Sequence, residues 1–576
     1  MSSVRIAMAQ INVLVGDLDG NLRKIETGLR HARNQGADLV LFPELAVPGY
    51  PPEDLLLKPA FLQANLEATR SIAALTYGLT AIVGYADVED DVYNAAAVFH
   101  NGVWVHTYRK HYLPTYGVFD EDRYFRRGHE NHVLQRGELA FGVSICEDIW
   151  YPEGPPDVQA LKGGARLLVN ISASPYHAGK GRSREQMLCT RAADNAAIVA
   201  FCNLVGGQDE LVFDGGSLLI NERGEVLARG AQFAEDFIVA DIDTAAVFRW
   251  RLHDPRRRKA APGVLPVVSL PLPVEQPVED RPELTTHLVT PLPRLAEIYG
   301  ALVLGTRDYV RKNGFEHVVI GLSGGVDSSL VACIAADALG PEHVTGVLMP
   351  SRYTADMSNE DAAILSRNLG IDYQIIPIES VFESYLTALA EPFAEVEPDV
   401  TEENLQARIR GNYLMALSNK FGWMVLTTGN KSEMSVGYAT LYGDMAGGYA
   451  VIKDVLKELV YDLSRWRNEQ GDTPVIPDRV LTRAPSAELR PDQKDSDSLP
   501  PYEVLDPILR AYVEDDQSPE EIVERLNVPE SVVRRIVRMV DRAEYKRRQA
   551  PPGVRITVRA FGKDRRLPMT QDFTES

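Results

Sequence analysis

Short apolar runs alternate with longer stretches whose apolar residues recur at helical spacing, and this alternation sets the reading of the whole chain. Residues 4–9 are strand-like. Residues 21–34 place Leu22, Ile25 and Leu29 on one helical face, and Leu39-Val40-Leu41-Phe42 is a continuous apolar run of the kind buried in a sheet. Comparable runs at 80–85, 96–99, 139–146, 166–171, 198–203 and 216–220 predict a sheet-rich α/β domain ending near Asp243.

The texture then changes. Pro255, Pro262, Pro266, Pro271, Pro273, Pro277, Pro282, Pro291 and Pro293 crowd one segment. Proline at that density forbids an interior helix or a central strand and favours an extended connector. Beyond it a helix at 293–313 leads into a strand at 318–320. Strands at 344–350, 373–377 and 424–428 then alternate with helices at 358–369 and 404–420. That order implies parallel βαβ units in a doubly wound sheet, whose ligands sit beyond the carboxyl ends of the strands. The rule puts 323–329 and 427–433 on one rim. The polar stretch from Glu469 to Pro501 lacks periodicity and reads as a long loop or lid. Helices at 519–526 and 531–549 and a basic, β-like tail complete the chain. The expected organisation is a first domain over 1–250, a linker over 251–290 and a second domain over 291–576.

Composition narrows the class of protein. The 576 residues are 45% hydrophobic and 24% charged, as in ordinary globular proteins, and are too many for a single core. No apolar run is long enough to span a membrane, and no signal peptide is recognisable, so neither membrane nor export is expected. The four cysteines show no C-x-x-C spacing, which argues against a zinc site or disulfide framework and fits a reducing cytoplasm. A net charge of −21 disfavours a nucleic-acid partner, though a small phosphorylated ligand can still enter a locally basic pocket.

Two places carry candidate chemistry. Residues 318–330 read V-V-I-G-L-S-G-G-V-D-S-S-L. A buried strand, a glycine turn and a helix N-terminus make an anion site, because free N–H groups and the helix dipole favour phosphate. No lysine follows, so this is not a Walker A loop. In the first half, Cys146 ends F-G-V-S-I-C, Glu44 ends L-V-L-F-P-E, and Lys110 follows V-W-V-H-T-Y-R. A thiol at a sharp strand end can be exposed and lowered in pKa by nearby dipoles and cations. Each of the three has a plainer alternative: a buried thiol, a solvated carboxylate, a surface lysine.

The string S-G-G-V-D-S-S resembles the pyrophosphate loop of ATP pyrophosphatases, which transfer the adenylyl group of ATP to an acceptor. F-P-E, Y-R-K-H-Y-L-P and I-C-E-D-I-W resemble, in chain order, three blocks of the nitrilase superfamily. In that family the glutamate is the general base, the lysine stabilises the oxyanion and the cysteine is the nucleophile. This implies those roles for Glu44, Lys110 and Cys146, with Glu121 a candidate second carboxylate. The fold so implied is α/β: an N-terminal nitrilase-like αββα sandwich, then a C-terminal doubly wound parallel sheet of adenine nucleotide α-hydrolase type.

The combination resembles the glutamine-dependent NAD synthetases over nearly the whole chain. Further blocks agree at 401–412, 427–433, 437–444 and 545–553. The resemblance implies glutamine hydrolysis at Cys146, adenylation of deamido-NAD by ATP, and displacement of AMP by the released ammonia. It implies glutamine-binding positions at Tyr116, Ser174 and Lys180. ATP-binding positions would be Gly321, Leu322, Ser323, Gly324, Gly325, Val326, Asp327, Ser328 and Thr428, with deamido-NAD contacts at Asn404, Glu433 and Lys546. Asp327 and Glu433 would hold Mg2+, whose hard charge suits carboxylate and phosphate oxygens. Lys546 could otherwise be a solvated helix end, and Asn404 a helix cap. A homo-oligomer is also implied. The rival readings are another pyrophosphatase-type amidotransferase, an amidase with a regulatory nucleotide domain, and a scaffold without turnover.

Overall fold

The computed structural model describes residues 3–254, 265–270, 281–491 and 493–573. The chain divides into two compact units, one formed by Met1–Gln208 and Val212–Pro293, the other by Asp209–Leu211 and Arg294–Ser576.

Among the described residues, the first unit is built on two large mixed sheets. One is six-stranded, in the order Asp236–Asp243, Ser3–Gln10, Leu39–Leu41, Thr80–Val88, Val92–His100, Val103–Arg109. The other is seven-stranded, in the order Val226–Arg229, Leu218–Ile220, Ile198–Asn203, Leu167–Ser172, Leu139–Ile145, Val133–Arg136, Val267–Leu270. Ile6, Met8, Leu41 and Val98 of the first sheet share a core with Phe141, Val143, Val169 and Ala200 of the second. The outer face of the second sheet is covered by the helices Pro155–Leu161 and Lys180–Asn195, through Ala160, Leu188 and Ala192. Runs buried on both faces explain why these strands read as continuous apolar stretches instead of alternating ones.

The proline-rich segment contributes more than a connector. Val267–Leu270 pairs in parallel with Val133–Arg136 and forms the edge of its sheet. Proline is tolerated there, since Pro266 precedes the first strand residue and an edge needs donors on one side only. Pro255, Pro262, Pro271, Pro273 and Pro277 lie outside the described residues.

The second unit is built on a five-stranded sheet in the order Asp372–Ile375, Val344–Leu348, Val318–Gly321, Met424–Thr427, Tyr449–Ala450. All its pairings are parallel. The strand Val318–Gly321 is central, and Met424–Thr427 lies beside it, so both carboxyl ends open on the same rim. The helices Arg294–Lys312 and Val326–Leu339 pack together, and the latter is buried almost throughout.

Three local expectations change. The C-terminal helix stops at Arg542, followed by a short turn Glu544–Arg547. The basic tail forms an isolated bridge between Phe561 and Arg565 in place of a strand. The stretch taken for a loop or lid contains the helix Asp478–Thr482, and Arg483 then ties it down by donating to Ser358 Oγ (2.7 Å) and to the Gly324 carbonyl (3.2 Å).

Candidate functional sites

In the first unit, Glu44, Lys110 and Cys146 come together at strand ends. Lys110 and Glu44 are fully buried, and Cys146 is 3% exposed. Lys110 Nζ donates to Glu44 Oε1 at 2.6 Å and to both oxygens of Glu121, at 2.9 and 2.8 Å. Glu121 also accepts from the Tyr50 hydroxyl at 2.8 Å, which gives this residue a larger part than the motif alone suggested. The second oxygen of Glu44 accepts from the Ala173 N–H at 2.8 Å. Gly84 lets the Glu44 loop pass this close, because a Cβ there would stand 2.3 Å from the Leu45 nitrogen.

Cys146 opens a short 3-10 turn, Cys146–Ile149, with φ at +42°. A non-glycine residue in the left-handed region costs energy and persists only where its surroundings impose it. Asp148 braces the chain around it. One carboxylate oxygen accepts from Ile145 N (3.0 Å) and the Tyr108 hydroxyl (2.7 Å); the other accepts from His111 N (3.1 Å) and Tyr112 N (3.0 Å). The residue before the thiol and the residues after Lys110 are thereby fastened to one side chain. Asp148 stood inside the I-C-E-D-I-W motif but had no role in the sequence reading.

The thiol departs from the sequence expectation. Burial pushes the Cys146 thiol well up, Glu44 adds to the rise, and Lys110 opposes it without prevailing. It rests protonated, so attack on a carbonyl needs a base. Glu121 is pushed up to about 7, chiefly by burial, with Lys110 pulling down and Glu44 pushing up.

Tyr116, 58% exposed, donates to Glu147 Oε1 at 2.9 Å. Lys180 begins the helix Lys180–Asn195 and donates to the Pro175 carbonyl at 2.6 Å, while its charge acts on Glu147. Ser174 is buried, with its N–H donated to Asn203 Oδ1 at 3.0 Å. Tyr116 thus bonds Glu147, the residue after Cys146, and the charge of Lys180 acts on the same carboxylate.

In the second unit a cavity of about 550 Å3 opens at the rim of the parallel sheet. Gly321, Leu322, Ser323, Gly325, Val326, Asp327, Thr428, Asn404, Glu433 and Lys546 line it. Gly324 and Ser328 shape the loop without lining the cavity. Gly324 has φ +74°, and a Cβ on it would stand 2.3 Å from the Ser358 carbonyl oxygen. Ser328 Oγ donates to the Gly325 carbonyl at 3.1 Å.

Asn404 is not a cap, since the helix Val400–Phe421 starts earlier with Asp399 as its N-cap. Instead it accepts from Thr440 Oγ1 at 2.7 Å inside the cavity. Lys546 is not a free helix end either, because Nζ donates to the carbonyls of Gly437 (2.8 Å) and Ala439 (2.9 Å).

Sequence reasoning missed Lys457. Its ammonium is buried and donates to Asp327 and, at 3.2 Å, to Glu433. Asn430 Nδ2 donates to the other Asp327 oxygen at 2.9 Å. Burial, and Asp327 beyond it, push the Glu433 carboxyl up to about 8 against the pull of Lys457. Lys457 sits at the first position of the helix Lys457–Glu469, where the helix dipole disfavours a cation. That local conflict was the available signal.

The folds and sites define a class: a carbon–nitrogen hydrolase joined in one chain to an ATP-using amide synthetase. The carbon-nitrogen hydrolase family model matches residues 5–252, and the NAD synthase model matches residues 298–550. The chain is 52% identical over 581 residues to a glutamine-dependent NAD(+) synthetase of Thermotoga maritima, with full coverage of both. It is 48% identical over 577 residues to one of Aquifex aeolicus, covering 99% of this chain and 100% of that one. The solved structure of the Acinetobacter baumannii enzyme in complex with ADP matches with a TM-score of 0.74 at 42% identity, covering 99% of this chain and 98% of that one. The chain belongs to the glutamine-dependent NAD(+) synthetases, carbon–nitrogen ligases that use ATP. Among the described residues, no helix is long and apolar enough to cross a membrane.

Proposed function

We propose that glutamine is hydrolysed at Cys146 and that its ammonia amidates an adenylated deamido-NAD at the cavity bordered by Ser323 and Thr428. Glu44 takes the proton from Cys146 Sγ, and the sulfur attacks the amide carbon. Lys110 hydrogen-bonds the oxyanion that forms, in a site where water is excluded and such bonds are strong. Collapse to the thioester expels ammonia with the proton from Glu44. Water, deprotonated by the same carboxylate, then releases glutamate. Tyr116, Ser174 and Lys180 hold the amino acid end of the substrate. The supporting observation is the pairing of buried Lys110 with buried Glu44 beside a left-handed Cys146.

In the second domain, the nicotinate carboxylate of deamido-NAD attacks the α-phosphorus of ATP, and pyrophosphate leaves against residues 321–328. Ammonia adds to the acyl carbon, AMP departs, and NAD is the product. Thr428 contacts ATP, while Asn404, Glu433 and Lys546 contact deamido-NAD. Asp327 and Glu433 both face the Lys457 ammonium, and their hard carboxylate oxygens are the residues that would hold a divalent ion here. Mg2+ held there would neutralise the leaving pyrophosphate.

Residues 1–250 and 291–576 carry the two activities, with 251–290 as a connector that also gives the first sheet-built unit its edge strand. A homo-oligomer in a reducing cytoplasm completes the reading, in keeping with four unpaired cysteines. The test is a pair of variants. Cys146→Ala should end glutamine use while leaving NAD formation from ammonium. Asp327→Ala should end synthesis from both nitrogen sources. Loss of both routes in the first variant, or ammonium-driven synthesis in the second, would overturn the assignment.

A further inference from the structure

We propose that Asn94 is a positioning residue that holds the Glu44 carboxylate in place while Lys110 changes partners. The inference rests on the reading of Glu44 as base. Asn94 is 1% exposed on the strand Val92–His100 and bonds Glu44 through its side chain and Lys110 through the backbone. Its Nδ2 donates to Glu44 Oε1 at 2.8 Å, the same oxygen that accepts from Lys110 Nζ at 2.6 Å. Its backbone carbonyl accepts the N–H of Lys110 at 2.8 Å. A carboxylate only accepts, so the amide must turn its NH2 toward Glu44. The consequence is visible on the other side of the amide: Asn94 Oδ1 is buried and has no hydrogen-bond partner. An unpaired buried acceptor is destabilising, and an apolar residue of similar size would avoid it. The amide is kept where only its donor is used.

The chemistry gives that donor a task. When Sγ attacks, Lys110 must turn toward a new oxyanion and its bond to Glu44 must weaken. Glu44 would then keep the Ala173 N–H on Oε2 and lose its hold on Oε1. Asn94 supplies a neutral donor to Oε1 that takes no part in the proton or charge movements. Because it is neutral, it also leaves the local charge to Lys110, Glu121, Cys146 and Glu147, with the Tyr50 hydroxyl beyond Glu121.

The experiment uses the full-length enzyme and the variants Asn94→Asp, Asn94→Ala and Glu44→Gln. Glutaminase kinetics are followed across pH, together with the rate at which iodoacetamide alkylates Cys146. In Asn94→Asp a further carboxyl, besides Glu121, faces Glu44, so the acidic limb of kcat/KM should move up by about one pH unit or more, with the alkylation profile moving alongside. In Asn94→Ala, kcat should fall about tenfold or more with KM little changed. Ammonium-driven synthesis and the unfolding midpoint report whether each variant is folded. Wild-type limbs in Asn94→Asp with wild-type kcat in Asn94→Ala would overturn the proposal. Glutaminase retained in Glu44→Gln would overturn the base assignment instead, and the alkylation profile would still read the link between Asn94 and Glu44.

Discussion

Lys457 donates its ammonium to Asp327 across 130 residues of sequence, and Glu433 shares the same donor. The loop at 321–328 and the rim of the neighbouring strand Met424–Thr427 are therefore joined by one buried cation. Replacing Lys457 by Met keeps the volume and removes the charge, leaving two carboxylates facing each other in a buried place. Breaking such an arrangement by removing one partner is strongly unfavourable. Ammonium-driven NAD synthesis should fall by about 100-fold or more, and the Mg2+ concentration for half-maximal rate should change. Glutamine hydrolysis assayed alone should persist. Wild-type synthesis and metal dependence in the variant would show that the ammonium only packs.

Asp148 supports the first site as Lys457 supports the second. Its two oxygens accept from four donors around Cys146 and Lys110. Asp148→Asn turns one acceptor into a donor that faces two donors already there. Each group left unsatisfied costs about 1–3 kcal/mol. Glutaminase activity should drop by about 100-fold or more, while ammonium-driven synthesis continues. A variant with near-normal glutaminase would mean that the left-handed turn at Cys146 is held by other contacts.

What the sequence made legible and what it hid have physical causes. Val318-Val319-Ile320 and Leu39-Val40-Leu41 were readable because strands buried on both faces need uninterrupted apolar runs. The loop at 321–328 and the triad of Glu44, Lys110 and Cys146 were readable because local motifs fix their backbone. Lys457 and Asn94 were not, since each acts across tens of residues or more, and the one local mark is the Lys457 cation in the first turn of its helix; Asn430 stood inside the block 427–433, but its partner Asp327 lies 103 residues away. The thiol was misjudged because its ionisation depends on burial and on Glu44, both set by the tertiary fold. The edge strand Val267–Leu270 was hidden by the prolines around it.

Gly324 offers a test of the proposed nucleotide role of the loop at 321–328 in which no functional side chain is substituted. Its φ of +74° and the Ser358 carbonyl 2.3 Å from a would-be Cβ leave no room for alanine. A left-handed residue with a Cβ costs about 1–2 kcal/mol before any clash is counted. Gly324→Ala should displace the loop and raise the KM for ATP about tenfold or more, with glutamine hydrolysis unaffected. An unchanged KM would mean that the loop can shift without losing the nucleotide.

His106 predicts a dependence of stability on pH. Burial, with His132 as a second cause, drives its imidazole down to about 4, and the two rings lie 4.7 Å apart. The folded chain thus keeps His106 neutral, whereas an unfolded histidine takes up a proton near pH 6.5. Between those values the unfolded state binds more protons. The stability this group contributes is present above about pH 6.5 and is lost as the pH falls toward 4. Partial solvent access reduces the full effect to about 1–2 kcal/mol. His106→Phe cannot titrate, so the wild type should lose about that much more stability than the variant between pH 7 and pH 4.5. Denaturant unfolding at the two pH values measures the difference, and equal losses in both proteins would show that His106 ionises freely in the folded state.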